Sequence, residues 1–393
     1  MSTRTAERKR SRFFRKQDKI ISRELSKRRA SSYVDYTLVL LLILLMGFGF
    51  LMLYSTSSYS SYMTYGHSFH YLIRQGSFAI LGLAAMLALA RMDYHKLCGL
   101  RWPIYILAWG GTLLLLVFGR SANGSTRWLR LGPVSVQPSE IAKTAVIILT
   151  AGLISLHPRL VNQWKGLVLF SLAQLALAAP ILKENMSTSI IVVGIVFFML
   201  LIASRERRAF FYAGLIGLGL GTAGVVFGGA YRLARIRVWL HPELDASDKG
   251  YQTMQALYAI GSGGLFGKGL GESMQKQFIP EAQNDMIFSV ITEELGIFGA
   301  VILIILYLVL IWRLTMIAMY CKDLFGSFLV IGIAVHMGLQ VLMNIAVVTN
   351  SMPNTGVTLP FVSYGGSALL MTMIEMGIAL SVSKNTGPGL DQV

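Results

Sequence analysis

Apolar residues in this 393-residue chain gather into long stretches, at about 34–55, 71–90, 102–119, 139–156, 165–182, 187–204, 209–228, 287–312, 325–348 and 366–383. About 20 such residues in a helix cross the roughly 30 Å of bilayer hydrocarbon. The pattern predicts an all-α integral membrane protein of about ten transmembrane helices. Three intervals on one side, 56–70, 120–138 and 229–286, are long for a compact bundle. Loops of that length usually carry function or are disordered. The third is rich in Tyr251, Leu257, Tyr258, Ile260, Phe266 and Phe278, a content that argues for structure.

Composition agrees with lipid as the main solvent. Charged residues are 14% of the chain, apolar residues 54%, and mean hydropathy is +0.60; soluble domains carry about 25% charge. The first stretch is too long for a signal-peptide core and lacks a small-residue cleavage site, so it is expected to be retained. Two cysteines and six scattered histidines build neither a disulfide framework nor metal-ligand spacing. No internal repeat is visible.

The net charge of +16 is uneven. Residues 1–32 hold twelve Lys or Arg against Glu7, Asp18 and Glu24, which is 12 − 3, or +9. Directly before a span, such a tail is expected to lie on anionic lipid rather than on nucleic acid. Alternate short loops carry Arg91, Lys96 and Arg101; Arg159 and Lys165; Arg205, Arg207 and Arg208; and Arg313 and Lys322. Basic loops stay inside, so both termini are expected in the cytoplasm and the long loops outside.

Four patches on the outer side carry the chemistry. Thr126-Arg127-Trp128-Leu129-Arg130 leads to Gln137-Pro138-Ser139-Glu140, with Lys143 one turn on. Proline suits a first helical turn, and Glu140 and Lys143 share a face where they can pair. A structural ion pair is the plain alternative, but ionisable groups inside a span usually mark a site. The second patch, Gly261-Ser262-Gly263-Gly264-Leu265-Phe266-Gly267-Lys268-Gly269-Leu270-Gly271, lacks the phosphate-loop spacing. Its glycines suit tight turns or close backbone approach. The third, Gln275 to Phe288, ends with Asp285 at the border of the apolar phase, where a partly desolvated carboxylate suits a general base. A helix cap is the rival role. Glu293 and Glu294 follow deeper and must find polar or cationic partners. The fourth, Pro353 to Ser367, breaks helical structure with two prolines and three glycines. Such backbone at membrane depth must be buried in protein or line a wet cavity. Arg74, inside the second stretch, could meet phosphate with Lys143 and Arg127, or snorkel to the interface.

These residues resemble the SEDS (shape, elongation, division and sporulation) family, the FtsW and RodA polymerases of bacterial peptidoglycan. The likeness spans about residues 33–384. It rests on Arg127-Trp128, Gln137-Pro138-Ser139-Glu140 with Lys143, Gly250-Tyr251-Gln252, Ala259-Ile260-Gly261-Ser262-Gly263-Gly264, Pro280-Glu281 with Asp285, Glu293-Glu294-Leu295-Gly296, and Leu359-Pro360-Phe361 with Ser363-Tyr364-Gly365-Gly366-Ser367. Gln275-Lys276 and Pro280-Glu281-Ala282 look more like FtsW, or its sporulation relative, than RodA. Gln283-Asn284 stand where the family often has His-Thr, and Glu184-Asn185-Met186-Ser187-Thr188 replaces Pro-Asp-Leu-Gly-Thr.

The resemblance implies a GT-C-like membrane domain over 33–384, between the basic tail 1–32 and a cytoplasmic end at 385–393. It implies an inverting glycosyltransferase that polymerises lipid II and releases undecaprenyl pyrophosphate at the division septum of the plasma membrane. Asp285 would be the base. Arg74, Lys143, Arg127, Glu140, Lys276, Ser363 and Gly365 would bind substrate, Glu140 by orienting Lys143. A divalent cation, Mg2+ or Mn2+, could assist; no organic cofactor and no nucleic acid are expected. Implied partners are a class B penicillin-binding protein and other divisome membrane proteins. A lipid II flippase or transporter, a RodA- or sporulation-type member, and a scaffold without chemistry are the other readings. A transporter should show inverted repeats and midplane charge.

Overall fold

The computed structural model describes residues 35–118, 120–122, 125–131, 134–226, 236–245 and 250–386. The basic tail 1–32 and most of the segment 385–393 lie outside the described residues. The elements in chain order are α1 (Tyr36–Tyr65), α2 (His70–Arg91), α3 (His95–Phe118), β1 (Arg120–Ala122), β2 (Ser125–Leu131), β3 (Val134–Val136) and α4 (Pro138–Leu156). They continue with α5 (Trp164–Glu184), α6 (Met186–Ala203), α7 (Arg207–Val226), α8 (Tyr251–Gly263), α9 (Ile287–Tyr320), α10 (Leu324–Val348) and α11 (Gly366–Ser383).

Among the described residues, nine helices are long and apolar enough to cross a membrane. The remaining expected stretch, 209–228, coincides with α7, many of whose side chains lie outside the described set. The helix α4 is sheathed by its neighbours, so that Glu140, Lys143, Thr144 and Thr150 are buried with its aliphatic residues. Side chains such as Leu40, Ile43 and Leu44 of α1, and Val301, Ile305 and Leu308 of α9, are exposed, as lipid-facing residues must be. The helices α2 and α11 approach closely where glycine permits it. A Cβ on Gly377 would meet the Met86 carbonyl, and one on Gly82 the Met373 side chain.

Two polar locks tie α1 to α9. At one end Asp35, which also caps α1, accepts from Arg313 Nε at 2.9 Å. At the other, Ser55 Oγ donates to Glu294 Oε1 at 2.6 Å. Ser55 lies 20 residues after Asp35, a rise of roughly 30 Å along α1, close to the hydrocarbon thickness of a bilayer.

The long intervals are more ordered than a loop reading implies. Residues 56–65 extend α1, because Thr56 and Ser57 hydroxyls turn back onto the Met52 and Leu53 carbonyls, each at 2.7 Å. The helix stops at Gly66, whose φ of 77° suits a left-handed cap. The interval 120–138 forms a three-stranded antiparallel sheet in the order β1-β2-β3, with Leu129 opposite Val136 and Leu131 opposite Val134. The domain is mostly helical, as expected, and this short hairpin is the strand structure among its described residues. The interval 229–286 contains α8 and a 3-10 turn at Gln275–Gln277.

Candidate functional site

The irregular segment between α10 and α11 is the hub that gathers the expected site. Tyr364 N–H donates to the Gln283 carbonyl at 2.8 Å. Asn344, from α10, donates to both the Asp285 carbonyl (2.8 Å) and the Val357 carbonyl (2.7 Å). Gln75, from α2, donates to the Ser363 carbonyl and accepts from Gly365 N–H, each at 3.2 Å. Within the turn the Ser363 hydroxyl accepts from Leu359 N–H at 2.8 Å, and Tyr307 holds the Pro360 carbonyl at 2.5 Å. A Cβ on Gly49 would strike the Phe361 carbonyl, so only glycine admits this turn against α1. Phe361 sits at φ 65° and Glu281 at φ 49°, left-handed conformations costly for side chains with a Cβ. Such strain persists only where the surroundings impose it, and it clusters at functional sites.

Asp285 is half-buried at this hub. The N-cap position of α9 belongs to Met286, so Asp285 does not occupy it. Arg74 is exposed one residue before Gln75 and stands beside Tyr364. Burial pushes the Tyr364 phenol above its ordinary value, against the lowering pull of the Arg74 guanidinium.

Lys143 reaches the same segment from α4. Its ammonium lies 2.9 Å from Glu140 Oε2 and donates to Gln340 Oε1 at 2.9 Å. Gln340 Nε2 in turn donates to the Thr358 carbonyl at 2.9 Å. Lys143 is 2% exposed and Glu140 6%. Among the described residues these two acceptors use two of the three ammonium protons. Beside the start of α4 a narrow cleft is lined by Thr112, Gln137, Ser139, Ile181 and Asn185.

Lys276 belongs to a neighbouring cluster. The buried carboxylates of Glu293 and Glu294 take Lys268 (2.7 Å) and Lys276 (3.2 Å). Glu293 also accepts from Ser273 Oγ at 2.5 Å and Gln275 N–H at 3.2 Å. These bonds clamp the glycine-rich segment after α8 onto α9. The clamp needs glycine at three places. A Cβ on Gly263 would meet the Thr292 carbonyl, one on Gly267 the Glu294 carbonyl, and one on Gly296 the Leu265 carbonyl. Gly267 and Gly296 also have φ of 78° and 71°. Lys276 is thereby ion-paired on the α9 side, while Arg127 lies on β2 with its side chain outside the described residues.

The network includes polar residues that sequence reasoning passed over: His336, Gln340, Asn344 and Glu375. The first three are spaced four apart in an apolar helix, which puts them on one face. That periodicity is the signal that could have found them. No group of three or more His, Cys, Asp or Glu side chains among the described residues could hold a metal ion.

The family model for FtsW, RodA and SpoVE, described as cell cycle protein, matches residues 36–387. Stage V sporulation protein E of Bacillus subtilis (strain 168) is 38% identical over 362 residues, covering 89% of this chain and 97% of that protein. A probable peptidoglycan glycosyltransferase FtsW of Geobacter sp. (strain M18) is 36% identical, covering 91% and 98%. Among solved structures, a chain described under "structural coordination of polymerization and crosslinking by a peptidoglycan synthase complex" superposes with a TM-score of 0.78 at 29% identity, covering 91% and 99%. The rod shape determining protein RodA of Thermus thermophilus superposes at 0.67 with 28% identity, covering 90% and 98%.

Proposed function

This chain belongs to the FtsW/RodA/SpoVE family of multi-pass membrane proteins, and we propose that, as a peptidoglycan glycosyltransferase, it polymerises lipid II on the outer face of the plasma membrane with Asp285 as general base. The observation that carries this reading is the convergence of Asp285, Arg74 and Lys143 on the one irregular segment 353–365. A base and two cations around one strained turn suit a sugar transfer whose leaving group is a pyrophosphate.

Asp285 takes the proton of the acceptor GlcNAc 4-hydroxyl as its oxygen attacks the anomeric carbon of the donor MurNAc. The bond from that carbon to the pyrophosphate oxygen breaks, and its electron pair leaves with undecaprenyl pyrophosphate. Attack opposite the leaving group inverts the α-linked lipid to a β-linked glycan. Arg74 and Lys143 offset the charge that develops on the pyrophosphate, in a site partly screened from water. Glu140 orients Lys143, and Ser363 and Gly365 hold the turn. Lys276, paired with Glu294, supports the loop from which Asp285 projects; Arg127 completes the cation set from the hairpin. A Mg2+ or Mn2+ ion, if bound with the pyrophosphate, would offset more of its developing charge.

We place the activity in septal wall synthesis during division, with both termini and the basic tail on the cytoplasmic side. Similarity to a stage V sporulation protein favours a second setting, the spore wall. A class B penicillin-binding protein docked on the outer loops is the proposed partner. The test is a gel assay of purified chain with labelled lipid II, with and without that partner. Glycan ladders are expected in at least one arm. Their absence from both, with lipid II scrambled across vesicles by the same preparation, would replace the polymerase by a flippase.

A further inference from the structure

Beneath Lys143 the polar network continues away from the proposed donor site. His336 Nε2 lies 2.7 Å from Gln340 Oε1 and His336 Nδ1 lies 2.8 Å from Glu375 Oε2. The other Glu375 oxygen accepts from Thr144 Oγ1 at 2.8 Å. Exposure is 2% for His336, 2% for Gln340, 4% for Thr144 and 0% for Glu375. The cluster joins α4, α10 and α11 through side chains alone.

Hydrogen-bond chemistry fixes the protons. An ammonium only donates, so the Gln340 atom facing Lys143 is the amide oxygen. The Thr358 carbonyl only accepts, so the atom facing it is the amide nitrogen, and the two constraints agree. The imidazole nitrogen that faces the same oxygen must then carry a hydrogen. The other imidazole nitrogen faces a carboxylate oxygen, and a contact at hydrogen-bond distance between them requires one more proton, on nitrogen or on oxygen. Either way His336 and Glu375 together are neutral, as are Lys143 and Glu140. The buried site is thus two neutral pairs bridged by one amide oxygen that accepts from both.

We propose that His336 and Glu375 are positioning residues for sugar transfer: the proton they share at Nδ1 fixes the imidazole, its Nε2–H locks the Gln340 amide oxygen, and the locked amide sets where the Lys143 ammonium stands. The Thr358 carbonyl holds the amide nitrogen and the His336 Nε2–H holds the oxygen, so turning the nitrogen toward Lys143, which would drive the ammonium away, breaks both bonds. Held oxygen-first, it leaves the third ammonium proton directed for the donor's pyrophosphate. The proposal rests on the assignment of Lys143 to those phosphates.

The test uses the full-length purified chain and initial rates of polymer formation against lipid II concentration. His336→Leu/Glu375→Leu removes the pair without stranding a charge, a replacement that buried ion pairs often tolerate. It is expected to insert and melt like the parent. Its kcat/KM should fall by on the order of tenfold to a hundredfold, the scale of a misplacement by about an ångström. Added to a Lys143→Met/Glu140→Gln background it should cause no further loss, because the pair acts through Lys143. Parental efficiency in the folded double variant, or a full further loss in that background, overturns the proposal. If the double variant does not accumulate, Gln340→Met decides: it cuts the link with no buried charge, and parental efficiency there overturns the proposal equally. Should Lys143→Met/Glu140→Gln itself polymerise at the parental rate, the phosphate role of Lys143 fails, a result that does not depend on His336.

Discussion

The two cations assigned to the pyrophosphate are held differently, and this separates their variants. Arg74 is exposed beside Tyr364, so Arg74→Ala should lower lipid II polymerisation while leaving the melting temperature close to that of the parent. Lys143 is buried against Glu140, and removing one partner of a buried pair costs about 3–5 kcal/mol because the other charge is stranded. Lys143→Ala should therefore lose both activity and stability. Lys143→Met/Glu140→Gln should recover most of the stability, with kcat/KM left about 10²–10³-fold below the parent. Thermal melts and gel assays on the same preparations check all three. Normal polymer from both Arg74→Ala and the double variant would dismiss the phosphate clamp. Sequence alone suggested the Glu140–Lys143 pair through its spacing, but not Gln340, which lies 197 residues from Lys143. Partners that distant along the chain leave no local pattern.

At the level of elements, the glycines around α8 and the start of α9 fix how the outer loop is seated. Gly296 combines φ of 71° with a position where a Cβ would strike the Leu265 carbonyl. Gly296→Ala is expected to cost at least about 1–3 kcal/mol in strain alone. It should also loosen the clamp made by Glu293 and Glu294, seen as a lower melting temperature and faster proteolysis between residues 264 and 280. An unchanged melt and an unchanged cleavage pattern would mean that the loop is seated by something else. The spans were legible because a helix in lipid must be long and apolar throughout. The helical extension of α1 was not, because Ser55-Thr56-Ser57-Ser58 reads as loop until the hydroxyls find their own carbonyls. The β hairpin at 120–136 escaped notice for a related reason: its strands run to three, seven and three residues, too short for alternation to stand out between helices.

Across the whole molecule, the proposed polymerisation of lipid II requires the hub of segment 353–365 to face the outside of the cell. Single cysteines at Glu272 and at His157, both exposed positions, in a chain freed of Cys98 and Cys321, report this directly. A membrane-impermeant maleimide should label the first in intact cells and not the second; the opposite pattern would invert the topology. With orientation set, catalysis by Asp285 is the claim on which the rest depends. Asparagine keeps the size of Asp285 and its hydrogen-bonding reach but cannot take up a proton at neutral pH. Loss of a general base typically slows reaction 10²–10⁴-fold, about 3–5 kcal/mol of barrier. The decisive measurement is polymer formation from labelled lipid II by purified Asp285→Asn beside the parent, with matched expression and melting. Near-complete loss of glycan is the predicted result; ladders close to the parental yield would contradict the general base and return the chain to the transporter or scaffold readings.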